Sequence, residues 1–308
     1  MIRALRGTDL VLLVGFGGRA LPNQAKTRQS LGKEEGGAHS WEAFLTTWLA
    51  LEGHHTWIAT DDGRIQGLIS ARQRQGHAAW EVNHLFLAED GPCEDTCLAL
   101  LEHVAAAPEA QVEKVFLRLT QESPLVDIAR RAGYYPYLTE ILYTWQQAHP
   151  SPSLLPTYPN LRRRASADDP ELFRLYQAAV PETVRRAEAM TYREWRESRE
   201  ATQRGKKEFV WLREGSITGW LRLTSSGGTG QLDLLAHPQE EEGLDRMLEY
   251  GLASLSASAT LLCLAAQGQE TLRRQLELAG FIPSATYIAF VKQRAVRLPQ
   301  RGLVPATA

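Results

Sequence analysis

The pentapeptide Ala132-Gly133-Tyr134-Tyr135-Pro136 decides the fold prediction, because its pattern returns about 150 residues later as Ala279-Gly280-Phe281-Ile282-Pro283. In both places the glycine follows a helical pattern, and glycine commonly ends a helix because it adopts positive φ without a steric penalty. Apolar residues with the alternation typical of a strand follow each proline. Each pentapeptide therefore predicts the junction between a helix and a final strand.

Two further pairs of segments repeat in the same order along the chain. Gly63–Gly67 matches Gly215–Gly219, and each lies between apolar β-forming runs, which predicts a hairpin with a tight turn. Arg19–Pro22 matches Ala178–Pro181, each at the end of an amphipathic stretch. Three ordered matches at nearly constant spacing indicate a tandem duplication of one domain type.

A stretch rich in proline and serine, from His149 to Pro159, separates the two copies, since it can neither continue a helix nor join a central strand. We predict an N-terminal domain over residues 1–146, a linker over 147–160, a C-terminal domain over 161–295 and a tail over 296–308.

Both copies predict the same order of elements, in which strands and helices are intermixed. This order is typical of an α/β (α+β) protein with a mixed sheet. In the first copy the predicted elements are a helix at Asp9–Ala20, a helical stretch around Trp41 and Trp48, a hairpin over Thr56–Arg74, a strand at Ala79–Ala88, a helix at Cys93–Ala106, a strand at Val115–Leu119, a helix at Pro124–Ala132 and a final strand at Tyr137–Thr144. In the second copy they are, in the same order, a helix at Asp168–Ala179, a helical stretch around Trp195, a hairpin over Phe209–Thr224, a strand at Gln231–Ala236, a helix at Gly243–Leu255, a strand at Thr260–Ala265, a helix at Glu270–Ala279 and a final strand at Thr286–Lys292.

Composition excludes several classes of function. The 308 residues include 34 Lys+Arg and 36 Asp+Glu, a net charge of −2 that lacks the basic excess of a nucleic-acid-binding protein. No apolar run approaches the about 20 residues that cross a bilayer, and no small-residue cleavage site follows the first 18 residues. The three cysteines, Cys93, Cys97 and Cys263, do not form a disulfide framework. We therefore predict a cytoplasmic protein without nucleic-acid or membrane partners.

The order of elements, and above all the helix that ends in Ala-Gly-aromatic-x-Pro before a strand, resembles the GNAT acyltransferase superfamily over nearly the whole chain, in two copies. The resemblance implies a central mixed sheet that is split to admit acyl-CoA. It also implies that backbone amides at a helix N-terminus after the fourth strand of that fold hold the pyrophosphate, as suits an anion. The implied reaction is acyl transfer from acetyl-CoA to an amine, here a small molecule.

The resemblance implies cofactor-binding residues in the second copy. His237 and Gly243 match the loop that precedes the helix, Leu244 follows it, and Gln269 keeps the amide side chain often found before the last helix. The loops also depart from the family pattern, because Glu240–Glu242 stand where a basic or small loop is expected. The first-copy loop, Ala88–Thr96, is acidic as well, and like charge opposes pyrophosphate binding.

The family's frequent tyrosine acid is absent from both copies, since Ala129 and Leu276 stand at its position. A carboxylate in a cleft can accept the amine proton, and the candidates are Glu81 on the third strand of the first copy and Asp233 as its equivalent in the second. The alternative for both is the simple alternation of a half-exposed strand. No metal site is predicted.

Two rival functions remain open at this point. One is a catalytically inactive GNAT-like scaffold that binds a metabolite or a protein. The other is nicotinamide binding through Gly15–Ala20, which fits Gly-x-Gly-x-x-Ala but has no glycine in the matching stretch of the second copy. Association into a homodimer is also left open, since hydrophobic edges of such sheets often pair.

Overall fold

The computed structural model describes residues 1–31, 41, 44–45, 54–76, 79–91, 93–107, 112–147, 154–200 and 205–294. The second predicted tryptophan of the first helical stretch, Trp48, lies outside the described residues, as do residues 148–153 of the predicted linker and the whole predicted tail. None of the helices in the described part of the chain combines the length and the apolar character that a bilayer crossing requires.

Twelve strands of the described chain form one mixed sheet, in the order β1-β2-β3-β4-β5-β12-β6-β11-β10-β9-β8-β7. From either edge toward the centre, the two copies therefore follow the same strand order. The strands are β1 (Ile2–Ala4), β2 (His54–Asp61), β3 (Arg64–Gln73), β4 (Ala79–Leu87), β5 (Lys114–Thr120), β6 (Tyr135–Gln146), β7 (Leu161–Arg163), β8 (Lys207–Arg213), β9 (Ser216–Ser226), β10 (Thr229–Ala236), β11 (Thr260–Ala266) and β12 (Ile282–Gln293).

Helices cover both faces of the sheet, because neighbouring strand residues point to opposite sides. Trp57 packs with the helix at Cys93–Ala106 in one apolar cluster, whereas its neighbour Ile58 packs with the helix at Leu10–Gly17 in another. The helices are α1 (Leu10–Gly17), α2 (Cys93–Ala106), α3 (Leu125–Arg131), α4 (Asp169–Ala179), α5 (Glu182–Glu188), α6 (Tyr192–Ser198), α7 (Glu241–Ser254) and α8 (Glu270–Leu278).

The mixed α/β class and the repeated hairpins are confirmed. β2 pairs with β3 and β8 with β9, both antiparallel. Each turn has positive φ at its two central residues, Asp62 and Gly63 in the first copy and Glu214 and Gly215 in the second. Such turns match the right-handed twist of the flanking strands.

The two copies exchange their last strands at the centre of the sheet. β6 comes from the first copy but pairs with β11 of the second, and β12 from the second copy pairs with β5 of the first. β6 and β12 also pair with each other. The glycines that precede them, Gly133 and Gly280, have φ of 80° and 94° and let the chain turn out of α3 and α8. The sheet is therefore continuous across the centre, and the boundaries at 146 and 161 stay a prediction.

The Gly15–Ala20 pattern lies at the end of α1 rather than between a strand and a helix. Gly17 is packed against the Trp41 ring, so that a Cβ there would lie 2.1 Å from the indole nitrogen. A dinucleotide site needs its glycines in the turn that opens a helix. The nicotinamide alternative is therefore wrong.

Candidate active site

A cleft opens in the second copy where two parallel strands diverge. β10 and β11 pair from Thr229–Leu232 with Thr260–Cys263, and their pairing stops there. On its other side β10 stays paired with β9 as far as Ala236, and β11 stays paired with β6 as far as Ala266. The last residues of β10 and β11 therefore face each other across a gap in the sheet.

The first copy has the same divergence, but its gap is filled by the protein's own chain. β4 and β5 pair only from Ala79–Glu81 with Lys114–Phe116. The segment that follows α1, Leu21–Lys26, which we call the plug, then runs between the two strands. Its backbone hydrogen bonds are Leu21 N–H to Leu87 O at 2.8 Å, Gln24 N–H to Leu85 O at 2.9 Å and Lys26 N–H to Arg118 O at 2.9 Å.

Asn23 fixes the plug from within. Its side chain is 4% exposed, and its Nδ2 donates to the carbonyl of Asn83 at 3.0 Å. Its Oδ1 accepts from the backbone N–H of Leu85 at 2.8 Å and from that of Ala25 at 3.2 Å. Asn83 is the extra residue of a β-bulge in β4, where the register against β3 shifts. Side-chain and backbone bonds thus satisfy the strand edge that the second copy leaves open.

In the second copy, a cavity of about 300 Å³ lies between the N-terminal ends of α7 and α8, at the mouth of the cleft. We call it the helix-end cavity. Three of the predicted cofactor-binding residues line it, namely His237, Leu244 and Gln269. Gln269 is held in place because its Oε1 accepts the backbone N–H of Ala266 at 2.9 Å.

The fourth predicted residue, Gly243, lies beside this cavity and packs against an indole ring. A Cβ on Gly243 would be 2.5 Å from Nε1 of Trp211. Its backbone N–H donates to Oε1 of Glu240 at 3.1 Å, and the other oxygen of that carboxylate accepts from the Thr218 hydroxyl at 2.8 Å. A buried carboxylate therefore occupies an amide of the first turn of α7, as a cap of the helix.

A second cavity, of about 250 Å³, adjoins the first, since Ala179, Leu234 and Gln269 line both. We call it the arginine cavity. Its walls come from β9, β10, β11, Gln269 and the helices α4–α6 of the second copy, together with Arg28, Arg74 and residues of β6 from the first. Both copies therefore contribute to it.

A connected network of ion pairs runs along this cavity and into the first copy. Arg118 donates to Glu140 at 2.8 Å and to Glu200 at 2.7 Å, and Arg28 donates to Asp233 at 2.7 Å. Burial opposes ionisation of Glu200, but the guanidinium groups of Arg118 and Arg28 outweigh it and hold its pKa well below the usual range. The network members are Arg28, Arg72, Arg74, Arg118, Arg222, Glu81, Glu140, Glu200 and Asp233.

Both predicted bases are members of this network. Glu81 is 2% exposed and accepts from Arg72 at 2.9 Å. Asp233 lines the arginine cavity and accepts from Arg222 at 2.9 Å and from Arg28. Burial opposes its ionisation, yet Arg222 and Arg28 lower the pKa of Asp233. The structure therefore holds Asp233 as a paired, charged carboxylate.

The predicted equivalence of Glu81 and Asp233 is wrong, because the chain between paired strand residues is three residues longer in the first copy, with 20 positions from Gly67 to its partner Leu87 but 17 from Gly219 to its partner Ala236. Asp233 of β10 pairs with Arg222 of β9, and Arg222 lies three residues after Gly219. In the first copy the residue three beyond the matching Gly67 is Ser70, and its partner is His84. His84 is thus the counterpart of Asp233.

A carboxylate that the sequence analysis missed, Glu188, also lines the arginine cavity. One of its oxygens accepts from the Tyr137 hydroxyl and the other from the Tyr176 hydroxyl, both at 3.2 Å. Burial raises the pKa of Glu188, whereas the arginine partners of Asp233 lower the pKa of that residue. Glu188 ends α5, in a stretch where the two copies share no motif, so the repeat carried no signal for it.

Comparisons with known proteins agree with the fold. No family model matches the sequence, and a search of curated proteins found no match. Among solved structures, a GCN5-related N-acetyltransferase from Sphaerobacter thermophilus matches with a TM-score of 0.55 and 16% identity, over 97% of each chain. A tandem GNAT protein from the clavulanic acid biosynthesis pathway matches with a TM-score of 0.53 and 14% identity, over 95% of this chain and 98% of that one. The chain therefore has the mixed α/β fold of two GNAT acyltransferase domains in tandem.

Proposed function

We propose that the chain is an acyl-CoA-dependent N-acyltransferase that acetylates a small-molecule amine, and that its active site lies in the second copy. The observation that carries the proposal is the difference between the two clefts. The cleft between β10 and β11 is open and leads into both cavities, whereas the plug fills the one between β4 and β5.

The open cleft is of the right kind for the pantetheine arm of acetyl-CoA. In the first copy the plug occupies the equivalent gap, and its backbone amides donate to carbonyl groups of β4. Pantetheine also carries amides along an extended chain, so the edge of β10 at Leu234–Ala236 offers it similar partners. We assign His237, Leu244 and Gln269 to the wall that holds the cofactor. When bound, acetyl-CoA supplies a thioester whose carbonyl carbon accepts the amine nitrogen and whose thiol leaves.

The arginine cavity is the proposed acceptor site. Its volume of about 250 Å³ lies just below the range of ligand pockets for drug-sized molecules, which is about 300–1,000 Å³. This size favours a small amine. Its shared wall with the helix-end cavity, at Leu234 and Gln269, brings the acceptor next to the cofactor.

Glu188 is the proposed proton acceptor for the amine. An efficient general base has a pKa near the working pH, and burial raises the pKa of Glu188 toward that range. The hydroxyls of Tyr137 and Tyr176 orient its two oxygens. Asp233 and Glu81, the bases predicted from the sequence, accept hydrogen bonds from guanidinium groups. We therefore assign them to positioning Arg222 and Arg72 rather than to accepting the amine proton.

The test is titration calorimetry and thermal unfolding with acetyl-CoA, followed by acetyl transfer to a panel of small amines. We expect one acetyl-CoA per chain, and a ligand at about 100 times its Kd stabilises the folded state by about 2.7 kcal/mol. Gln269→Ala should weaken binding. Glu122→Ala should not, although this exposed residue stands eleven positions before Gly133 as Gln269 does before Gly280. Glu188→Gln should keep binding and lose turnover. Absence of acetyl-CoA binding to the wild-type chain would refute the proposal.

One observation favours the second candidate, an inactive scaffold. The Glu240 carboxylate holds the Gly243 amide in the turn where the family places the pyrophosphate. A scaffold would show neither acetyl-CoA binding nor acetyl transfer, so the same titration separates the two functions.

A further inference from the structure

We propose that the acceptor amine also carries a carboxylate, and that Arg199, Trp220 and Arg74 bind it in the arginine cavity. We call these three side chains the carboxylate subsite. The proposal deepens the proposed function, on which its assignment to an acceptor rests. The predicted class of ligand is an amino acid with an apolar side chain.

Arg199, just beyond the end of α6, lines the cavity without a counter-ion among the described residues. Its Nε and Nη2 both donate to one neutral oxygen, Oε1 of Gln75, at 3.3 and 3.2 Å. By contrast, Arg28 and Arg222 of the same wall are each paired with Asp233. The Arg199 guanidinium also lies over the Trp195 ring, 4.9 Å from its centre, which leaves Nη1 without a hydrogen-bond partner among the described residues.

The charges around Arg199 agree with this. Burial lowers the pKa of Arg199 and the like charge of Arg164 lowers it further, which outweighs the opposite effect of Glu208 and Asp169. An arginine remains protonated in proteins, so the depressed pKa reflects a positive charge that its surroundings do not fully compensate. A bound carboxylate would compensate it, and the planar guanidinium matches carboxylate geometry.

Two more donors in the cavity wall lack acceptors within the described part of the chain. These are the indole Nε1 of Trp220 and the Nε of Arg74, and both atoms are buried. Arg74 is otherwise held firmly, because Nη1 donates to the Ser198 carbonyl at 2.8 Å and the guanidinium lies 3.6 Å from the centre of the Phe116 ring. Buried donors are nearly always paired in folded proteins. We assign an ionised carboxylate, which only accepts hydrogen bonds, as the shared partner of these two donors and Arg199.

The rest of the cavity fits the other parts of an amino acid. Glu188 offers a carboxylate to the amine. Leu172, Val184 and Trp195 form an apolar wall for a side chain. A cation, an anion and an apolar group can therefore be bound at once, and this combination distinguishes an amino acid from a simple alkylamine.

The test compares pairs of ligands that differ only by the carboxylate, namely leucine with isoamylamine and phenylalanine with phenethylamine. Binding is measured by titration calorimetry on the full chain without acetyl-CoA, so that the result does not depend on the cofactor. We expect the carboxylated member of at least one pair to bind about 10-fold or more tightly than its partner. Arg199→Gln and Trp220→Phe should each reduce that preference. Arg196→Gln, at an exposed arginine of α6 three residues before Arg199, is the matched control and should keep it.

Three outcomes would overturn the proposal. These are equal binding of the two members of both pairs, failure of both amino acids to bind, and a preference that survives Arg199→Gln. The phosphonate analogue of phenylalanine serves as a further arm, and tighter binding of the phosphonate than of phenylalanine would overturn the assignment to a carboxylate. If acetyl-CoA fails to bind while phenylalanine binds through Arg199, the subsite stands and the proposed acyl transfer falls.

Discussion

Replacement of Asn23 by alanine would test whether the plug is a fixed part of the first copy. The substitution removes the three hydrogen bonds of the Asn23 side chain to the backbones of Asn83, Leu85 and Ala25. The side chain is 4% exposed, so water replaces these bonds poorly. An unsatisfied buried polar group costs about 1–3 kcal/mol. At the lower limit for each of the three groups, the free energy of unfolding should fall by about 3 kcal/mol.

Thermal unfolding followed by circular dichroism would measure this effect. The unfolding entropy is about 2.1 cal/mol/K per residue, so for a chain of this length a loss of about 3 kcal/mol lowers Tm by about 5 °C. Asn23→Asp keeps an oxygen that can accept the Leu85 and Ala25 bonds, but it buries a charge against the Asn83 carbonyl and should also be destabilising. Asn160→Ala, at an exposed asparagine, is the control for the substitution itself. A Tm for Asn23→Ala within about 1 °C of the wild type would refute the reasoning that the plug is held by these bonds.

Three other predictions concern the second copy. Glu240→Gln removes a buried negative charge beside the Gly243 amide, a change on the order of 1 kcal/mol, so calorimetry should show acetyl-CoA bound about fivefold more tightly; unchanged or weaker binding would contradict this. Gly243→Ala forces a Cβ to within 2.5 Å of the Trp211 ring, and denaturant unfolding should show a loss of about 1–3 kcal/mol. Burial raises the pKa of Glu188 in the folded chain. Between the ordinary pKa of about 4.3 and this raised pKa, the folded chain holds a proton on Glu188 that the unfolded chain has released. The stability of the wild type therefore falls as pH rises through that window. Glu188→Gln lacks this slope, so its Tm relative to the wild type should rise between pH 4 and pH 8, and a constant difference would count against the raised pKa.

Much of each copy could be predicted because local patterns determine it. The helix at Cys93–Ala106 was predicted with its observed bounds, and the hairpin turns at Gly63 and Gly215 follow from the positive φ that they require. The strand exchange could not be predicted in this way. β6 and β12 carry the same alternating pattern, so either strand fits beside β5 or β11, and only the packing of the whole chain decides between them.

The candidate site shows the same limit. His237, Leu244 and Gln269 could be predicted because the repeat and the family resemblance pointed to their loops, and they line one cavity. Glu188 and Arg199 could not, since their significance comes from side chains far away in sequence, such as Tyr137 and Gln75. Glu81 was misaligned with Asp233 because the first copy has three more residues than the second between its paired positions, Gly67 and Leu87 against Gly219 and Ala236, and a change of length between two strands shifts every residue of the second strand.

The position of β12 also bears on how the protein is made. Residues 282–293 form the strand that lies against β5, so the N-terminal copy lacks its neighbour at that edge until the ribosome has passed residue 293. Folding during synthesis usually completes the N-terminal unit first, and contacts between residues so distant in sequence form slowly. Here the earlier-made half must wait for the later one, with the edge of β5 exposed in nascent chains, where chaperones or aggregation would act on it.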